Sequence, residues 1–275
     1  MKKQPLVSVI TVSNRPYLWK DAYNNICEHK GDIEFEHIFV GPEMPDFSLP
    51  SNVKHIKTGN IKPPQCWEIG RRNITGKMFM LQADDVKFYH GGMSDIYKKH
   101  LEVCDQQGNE KVIVVPSFRD RSHVAASRYG KARGNSPIIT IGSSLISTSF
   151  LSEIGGSDIR FVGIYGDNDW AMRMHGIGVY FEDYNDVHTI EFRHKRMTHR
   201  LHRICKPYDR GILDSFWTRF TEEPEPELPE DAYEYMKDHR WVITKKRQKS
   251  IIAYEDEDIL TKTQGVKEYG GLKWD

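Results

Sequence analysis

The chain has 275 residues, room for one large domain or for one domain with an appended tail. Its 39 basic and 39 acidic side chains cancel, so no net field draws it to nucleic acid or to an anionic membrane. No apolar run reaches the length of a membrane span, and Cys27, Cys66, Cys104 and Cys205 stand too far apart for a structural zinc site or a disulfide framework. Met1 to Pro5 leads into a strand rather than a signal peptide, and a reducing, cytoplasmic location is expected.

The elements follow in chain order. Leu6 to Val12 is a β-branched run that reads as a buried strand, broken by Ser13-Asn14-Arg15-Pro16, with Pro16 opening a helix through about His29. Strands are expected at Phe35–Val40 and Val53–Lys57. A helix starts at Pro63-Pro64, carries Trp67, Ile69 and Ile74, and stops at Gly76. A strand then ends in Asp84-Asp85, followed by a helix near Met93–Cys104 and a strand at Lys111–Val115. Residues 117–136 are polar and carry Arg119, Arg121, Arg128, Lys131 and Arg133, the composition of a functional loop. Strand character resumes at Ile138–Ile141. A short helix over Ser147–Ile154 closes at Gly155-Gly156, a second helix spans Asp167–His175, and strands follow at Gly178–Phe181 and Val187–Phe192. Strands alternating with helices in this way imply a mainly parallel sheet covered on both faces.

Beyond Arg193 the composition changes. Seven cations from Arg193 to Arg210 face Asp209 alone, residues 222–231 form an acidic Pro-rich linker, and a helix is expected near Asp231–Asp238. The division is therefore a catalytic domain over 1–192 and an extension over 193–275 packing on it.

Two clusters carry chemistry. Asp84 and Asp85 end an apolar strand, where adjacent carboxylates repel and burying either alone costs several kcal/mol. A hard divalent cation removes both problems, and the C-terminal end of a strand is where open α/β sheets bind ligands. A solvated turn is the plainer reading of the same pair. In Tyr165-Gly166-Asp167-Asn168-Asp169-Trp170-Ala171-Met172-Arg173, one aspartate serves as a helix cap and the other faces a cleft as a general base. Trp170 offers a face for stacking a sugar ring, or belongs to the core.

At these segments the chain resembles the glycosyltransferase family 2 enzymes with the GT-A fold, over roughly residues 5–192. LVSVITVSNRP looks like the opening strand and nucleotide-binding turn, and FMLQADDV like the strand with the DXD-type metal motif. IGGSDIRF resembles the Gly-Gly-x-Asp turn before the acceptor site, YGDNDWAMR the ED-type motif, and DVHTIEF the segment with a late metal-ligand histidine. The resemblance implies an α/β fold, a Rossmann-like, mainly parallel sheet flanked by helices, in one catalytic domain. It implies transfer from a nucleotide-diphosphate sugar to an acceptor hydroxyl with inversion, assisted by Mn²⁺ or Mg²⁺. Asp167 takes the place of the catalytic base, and Trp170, Asp169 and Arg173 the acceptor side. Asp85 and His188 fall at the metal, and Thr11, Val12, Ser13, Asn14, Arg15 and Asp84 at the donor.

Three departures stand out. The acidic pair usual after the second strand reads Val40-Gly41-Pro42-Glu43, so that base contact is lost or moves to Glu43. The first carboxylate of the DXD position is Gln82, and an Arg-Asn pair usual in the preceding helix reads Trp67-Glu68. The acceptor is a glycan in the favoured reading. The basic stretch 193–210 is a solvated helix, a cover for the donor diphosphate, or a wall for a polyanionic acceptor such as a hydroxylated base in DNA, which neutral charge disfavours. The alternative function is a non-catalytic sugar-nucleotide or glycan-binding module on the same fold.

Overall fold

The computed structural model describes residues 4–59, 63–119, 125–126, 141–158, 160–192, 205, 208–213, 217–219 and 241–243. Strand β1 (Val7–Val12) is the centre of a five-stranded sheet. It pairs in parallel with β2 (Phe35–Gly41) on one side and β4 (Met78–Leu81) on the other; β3 (Val53–Lys57) lies parallel outside β2. The short β8 (Ile146–Ser147) closes the far side of β4 in antiparallel sense. The crossovers are α1 (Trp19–His29), entered through a 3₁₀ turn at Pro16–Leu18, and α2 (Pro63–Arg72).

A second sheet has the order β5-β9-β6-β7, formed by β5 (Val86–His90), β6 (Val112–Arg119), β7 (Ala125–Ala126) and β9 (Tyr180–Glu191). Residues 142–145 tie the two sheets together, Gly142 bridging to Leu81 of β4 and Leu145 to Val114 of β6. The two-residue period of the strands then sorts side chains into two layers. Val7, Val9, Met78, Met80, Val112 and Val114 share a core cluster with Ile26 of α1 and Ile96 of α3 (Met93–Gln107). Their alternates Ile10, Phe79, Leu81, Ile113 and Val115 pack with α4 (Leu151–Ile154) and α5 (Gly166–Gly176). Both faces are covered, and the architecture is α/β with a mostly parallel central sheet. No helix among the described residues is long and apolar enough to cross a membrane.

Several boundaries differ from the sequence expectation; the helix expected over Ser147–Ile154 is α4 at Leu151–Ile154 alone, with Ser147 in β8 and a 3₁₀ turn between them. Helix α2 stops at Arg72, four residues short of Gly76, because Thr75 N–H donates to the Glu36 carboxylate at 2.7 Å and Gly76 N–H to Ser8 Oγ at 2.9 Å. These contacts draw the chain out of the helix and onto β1 and β2. The strand before Asp84-Asp85 ends at Leu81, and a new strand, β5, starts directly after the pair. The two strands expected over 178–192 are one, β9, with a bulge: Pro116 pairs with Tyr184, but Ser117 pairs with His188.

Ile141 is described but lies in no strand, whereas residues 138–140, most of the 117–136 loop, 193–204, the 222–231 linker and the 231–238 helix lie outside the described residues. A short helix, α6, covers 208–213, and β10 (Trp217–Arg219) pairs antiparallel with β11 (Trp241–Ile243).

Candidate functional site

Because β1 and β4 are parallel neighbours, both end at the same edge of the sheet, the edge where ligands bind in α/β folds. Ser13 N–H donates to Val40 O at 3.2 Å, holding the turn after β1 against β2. Gly41 permits this approach, since a Cβ there would stand 2.1 Å from the Ser13 carbonyl oxygen. On the other side β4 breaks at Gln82, whose side-chain amide donates to Val86 O at 2.6 Å and closes the turn into β5. The amide in place of a carboxylate thus has a local structural role.

Asp84 is 1% exposed and accepts three side-chain hydrogen bonds. Ser13 Oγ–H and Arg15 Nε–H (2.9 Å) both reach Oδ2, while Arg15 Nη2 donates to Oδ1. Arg15 Nη1 donates to Asp85 Oδ2 at 3.2 Å. One guanidinium therefore bridges the two carboxylates and relieves their repulsion. Burial works against the Arg15 charge, but Asp84 and Asp85 outweigh it and hold its pKa above the usual value. Burial pushes the Asp84 carboxyl up, against the opposing pull of Arg15 and Ser13.

Two adjacent carboxylates at a strand end are hard oxygen donors and fit a divalent cation of the kind held by one or two carboxylates plus substrate phosphates. Among the described residues no group of three or more His, Cys, Asp or Glu is arranged to hold a metal. The protein's share of such a site would then be Asp85, the more exposed of the pair, with Asp84 beside it.

His188 is not brought to this pair. β9 runs antiparallel to β5, so Phe192 N–H meets Asp85 O at 3.0 Å and Glu191 pairs with Val86, while His188 pairs with His90 at the opposite end of β5. Its ring stacks on Tyr89 with centroids 5.5 Å apart.

Helix α5 also departs from the expectation. Its N-cap is Tyr165, in the left-handed conformation with φ 63°, so neither aspartate is the cap. Asp167 lies half-buried in the first turn. Asp169 is fully buried, and Arg173 donates to it through Nε at 3.0 Å. Arg173 further donates through Nη2 to Gly156 O at 2.8 Å and through Nη1 to Ile154 O. Trp170 is 0% exposed, its ring edge-on to Phe79 of β4 at 6.2 Å. Asp169, Trp170 and Arg173 are thus interior, and none presents a surface to an acceptor. The helix is buried on nearly every side, so packing rather than a polar face fixes its orientation.

The Gly155–Asp158 turn is braced twice. Arg173 holds it from α5, and Glu68, 2% exposed on α2, accepts from Ser157 N–H at 3.0 Å. Glu68 also accepts from Arg71 (2.8 and 2.7 Å) and Arg72 (2.7 Å). The Arg-Asn to Trp67-Glu68 departure therefore installs a buried ion cluster under the turn, with Glu68 held below the usual carboxylate range by Arg71 and Arg72 despite its burial.

Of the remaining donor residues, Thr11 is interior, its Oγ1 2.9 Å from His37 Nε2. Val12 and Ser13 are half-buried, and Asn14 and Glu43 are exposed at the same sheet edge.

The sequence matches no known protein-family profile and no curated protein. Solved structures do match. Mannosyltransferase PcManGT from Pyrobaculum calidifontis, in complex with GDP-Man and Mn²⁺, aligns at TM-score 0.54 and 17% identity over 86% of this chain and 70% of that one. The chain has the GT-A fold. GalNAc-T7, solved with UDP, GalNAc and Mn²⁺, aligns at TM-score 0.50 and 12% identity, over 70% of this chain and 44% of that one. S. aureus TarS 1-349 aligns at TM-score 0.45 and 13% identity over 66% of this chain, and the match spans 59% of the TarS chain. Within the GT-A frame the features without a sequence signal are Arg15 as the partner of both aspartates and Glu68 as a brace. Each depends on residues far apart in the chain.

Proposed function

We propose that the chain is a metal-dependent inverting glycosyltransferase, moving a sugar from a nucleoside-diphosphate donor to an acceptor hydroxyl, with a glycan as the acceptor class. The observation that carries this reading is the meeting of Ser13, Arg15, Asp84 and Asp85 at the carboxyl edge of β1 and β4 in a GT-A fold. PcManGT is named with GDP-Man and Mn²⁺, a donor of this class, and GalNAc-T7 with a nucleoside diphosphate, UDP, beside GalNAc and Mn²⁺.

The donor diphosphate binds along the backbone of Val12 to Asn14. Arg15, already at this edge, bears on the negative charge that builds on the leaving diphosphate. Asp84 orients Arg15 and Ser13, and Asp85 with Asp84 would hold the cation. Bound there, Mn²⁺ or Mg²⁺ supplies Lewis-acid stabilisation of that charge. Asp167 takes the proton of the acceptor hydroxyl as it attacks the anomeric carbon from the face opposite the diphosphate, which inverts the centre. Glu43 contacts the nucleobase from the turn after β2.

A thermal-shift panel of UDP, GDP, CDP and dTDP, each with and without Mn²⁺, tests donor and metal together. A shift for one nucleotide that grows with Mn²⁺, with slow hydrolysis of the matching sugar nucleotide, supports the reading. Binding without turnover by any acceptor, water included, identifies a sugar-nucleotide-binding module instead. No shift with any nucleotide overturns both.

A further inference from the structure

Asp209 lies in α6, outside the GT-A motifs, and is fully buried. Its Oδ1 accepts from Val162 N–H at 2.9 Å, and its Oδ2 from Gly163 and Ile164 N–H at 2.8 Å each. Three consecutive backbone donors in an irregular loop need partners, and one carboxylate from 45 to 47 residues away supplies them all. The loop is closely covered: a Cβ on Gly163 would stand 3.0 Å from the Cβ of Cys205, which precedes α6, and 3.8 Å from Asp209 Oδ2.

The next residue of the loop is Tyr165. Its left-handed backbone (φ 63°) is disfavoured for a non-glycine residue and so requires outside support. Its carbonyl accepts the first hydrogen bond of α5, from Asp169 N–H at 2.9 Å. Arg210, adjacent to Asp209, lies over the Tyr165 ring at 5.8 Å. Both neighbouring α6 residues therefore act on the stretch that ends in the strained turn, and Asp167 follows two residues after it.

We propose that Asp209 is a positioning residue: its carboxylate fixes the 162–165 loop and with it the place of Asp167. This rests on the reading of Asp167 as the base. Asparagine cannot fully replace it. An amide oxygen at the Oδ2 place keeps Gly163 and Ile164, but its NH₂ then faces the Val162 N–H, donor against donor.

The test uses the full chain with UDP-glucose, UDP-GlcNAc and GDP-mannose plus Mn²⁺, water as acceptor, and hydrogen exchange across residues 160–170. Asp209→Ala is expected to lower kcat about 100-fold and Asp209→Asn about tenfold, with donor KM within about twofold of wild type. Exchange should rise at Val162–Ile164 and spread into the first turn of α5. Unchanged exchange in both variants overturns the clamp. Faster exchange with wild-type kcat, while Asp167→Asn is inactive, overturns the positioning role. Should Asp209→Ala not fold, Asp209→Asn carries both arms. Near-normal turnover by Asp167→Asn overturns the base assignment and the proposed positioning with it. With no turnover of any donor by wild type, exchange decides: a rise confined to 162–164 overturns the proposal, and one reaching α5 supports it.

Discussion

Arg15 holds Asp84 through Nε and Nη2 and reaches Asp85 through Nη1, so a single side chain from the turn after β1 stabilises the acidic turn between β4 and β5. The guanidinium stands in the relation to these carboxylates that a divalent cation would take, so a cation bound there would have to share the pair with it or displace it.

Removing Arg15 therefore exposes the carboxylates' need for a cation. Arg15→Met leaves Asp84 buried without its charge partner, which should cost about 3 kcal/mol. That corresponds to a fall in Tm of roughly 6–12 °C for a domain of this size. Mn²⁺ should restore more stability to the variant than it adds to wild type, where Arg15 competes. A variant that gains nothing from Mn²⁺ in a thermal melt would remove the carboxylate pair as a metal site.

Asp167 and Trp170, though close in sequence, should separate in kinetics. Asp167→Asn is expected to lower transfer about 10²–10⁴-fold with the nucleotide thermal shift intact. Trp170→Phe should leave acceptor KM near wild type, because the indole is buried on Phe79. Trp170→Ala should instead cost about 3–5 kcal/mol of stability. A marked rise in acceptor KM for the phenylalanine variant would contradict the buried placement.

Glu68 and Gly156 should be coupled. A Cβ at residue 156 would stand 2.4 Å from Glu68 Oε2, and that carboxylate cannot swing aside because Arg71, Arg72 and Ser157 N–H hold it. Gly156→Ala and Glu68→Ala should each destabilise by about 2–4 kcal/mol. The alanine at 156 should cost at least about 1 kcal/mol less in the Glu68→Ala background, where the clash is gone. Strict additivity in urea unfolding would show that the two do not meet.

His37 should make the fold acid-sensitive. Burial lowers its pKa from 6.5 to about 3, so between these values the unfolded chain binds a proton that the folded chain refuses. The contribution is fully present above pH 6.5 and is lost as pH falls toward 3, at about 1.4 kcal/mol per pH unit. Between pH 7 and pH 5, wild type should lose about 2 kcal/mol more than His37→Gln in urea unfolding. Equal losses would mean that the ring is protonated in place.

The sheet was readable where a strand's side chains all report the same burial. LVSVITV is mostly β-branched and the run over Phe35–Val40 is apolar apart from Glu36 and His37, and both formed strands at close to the expected bounds. β5 escaped notice because Val86-Lys87-Phe88-Tyr89-His90 alternates only weakly and follows a charged turn. The break expected within β9 is a real discontinuity, but a bulge takes it up without ending the strand. At the site, i,i+4 spacing makes Asp169 and Arg173 a pair, yet spacing cannot tell whether the pair faces a cleft or the core. That is decided by Ile154 and Gly156, whose carbonyls draw Arg173 inward. The position of His188 depended on strand register, which sequence order does not reveal.

At one end of the five-stranded sheet β3 pairs only with β2 among the described residues, whereas at the other end the residue before β8, Leu145, bridges to the second sheet. Such a rim offers backbone donors and acceptors to any extended chain that meets it. Lys54 and Lys57 on β3 place positive charge along this rim, and Glu36 anchors Lys54 at 2.7 Å. Self-association through the rim is thereby discouraged electrostatically, so resistance to clumping should weaken as added salt screens the two lysines.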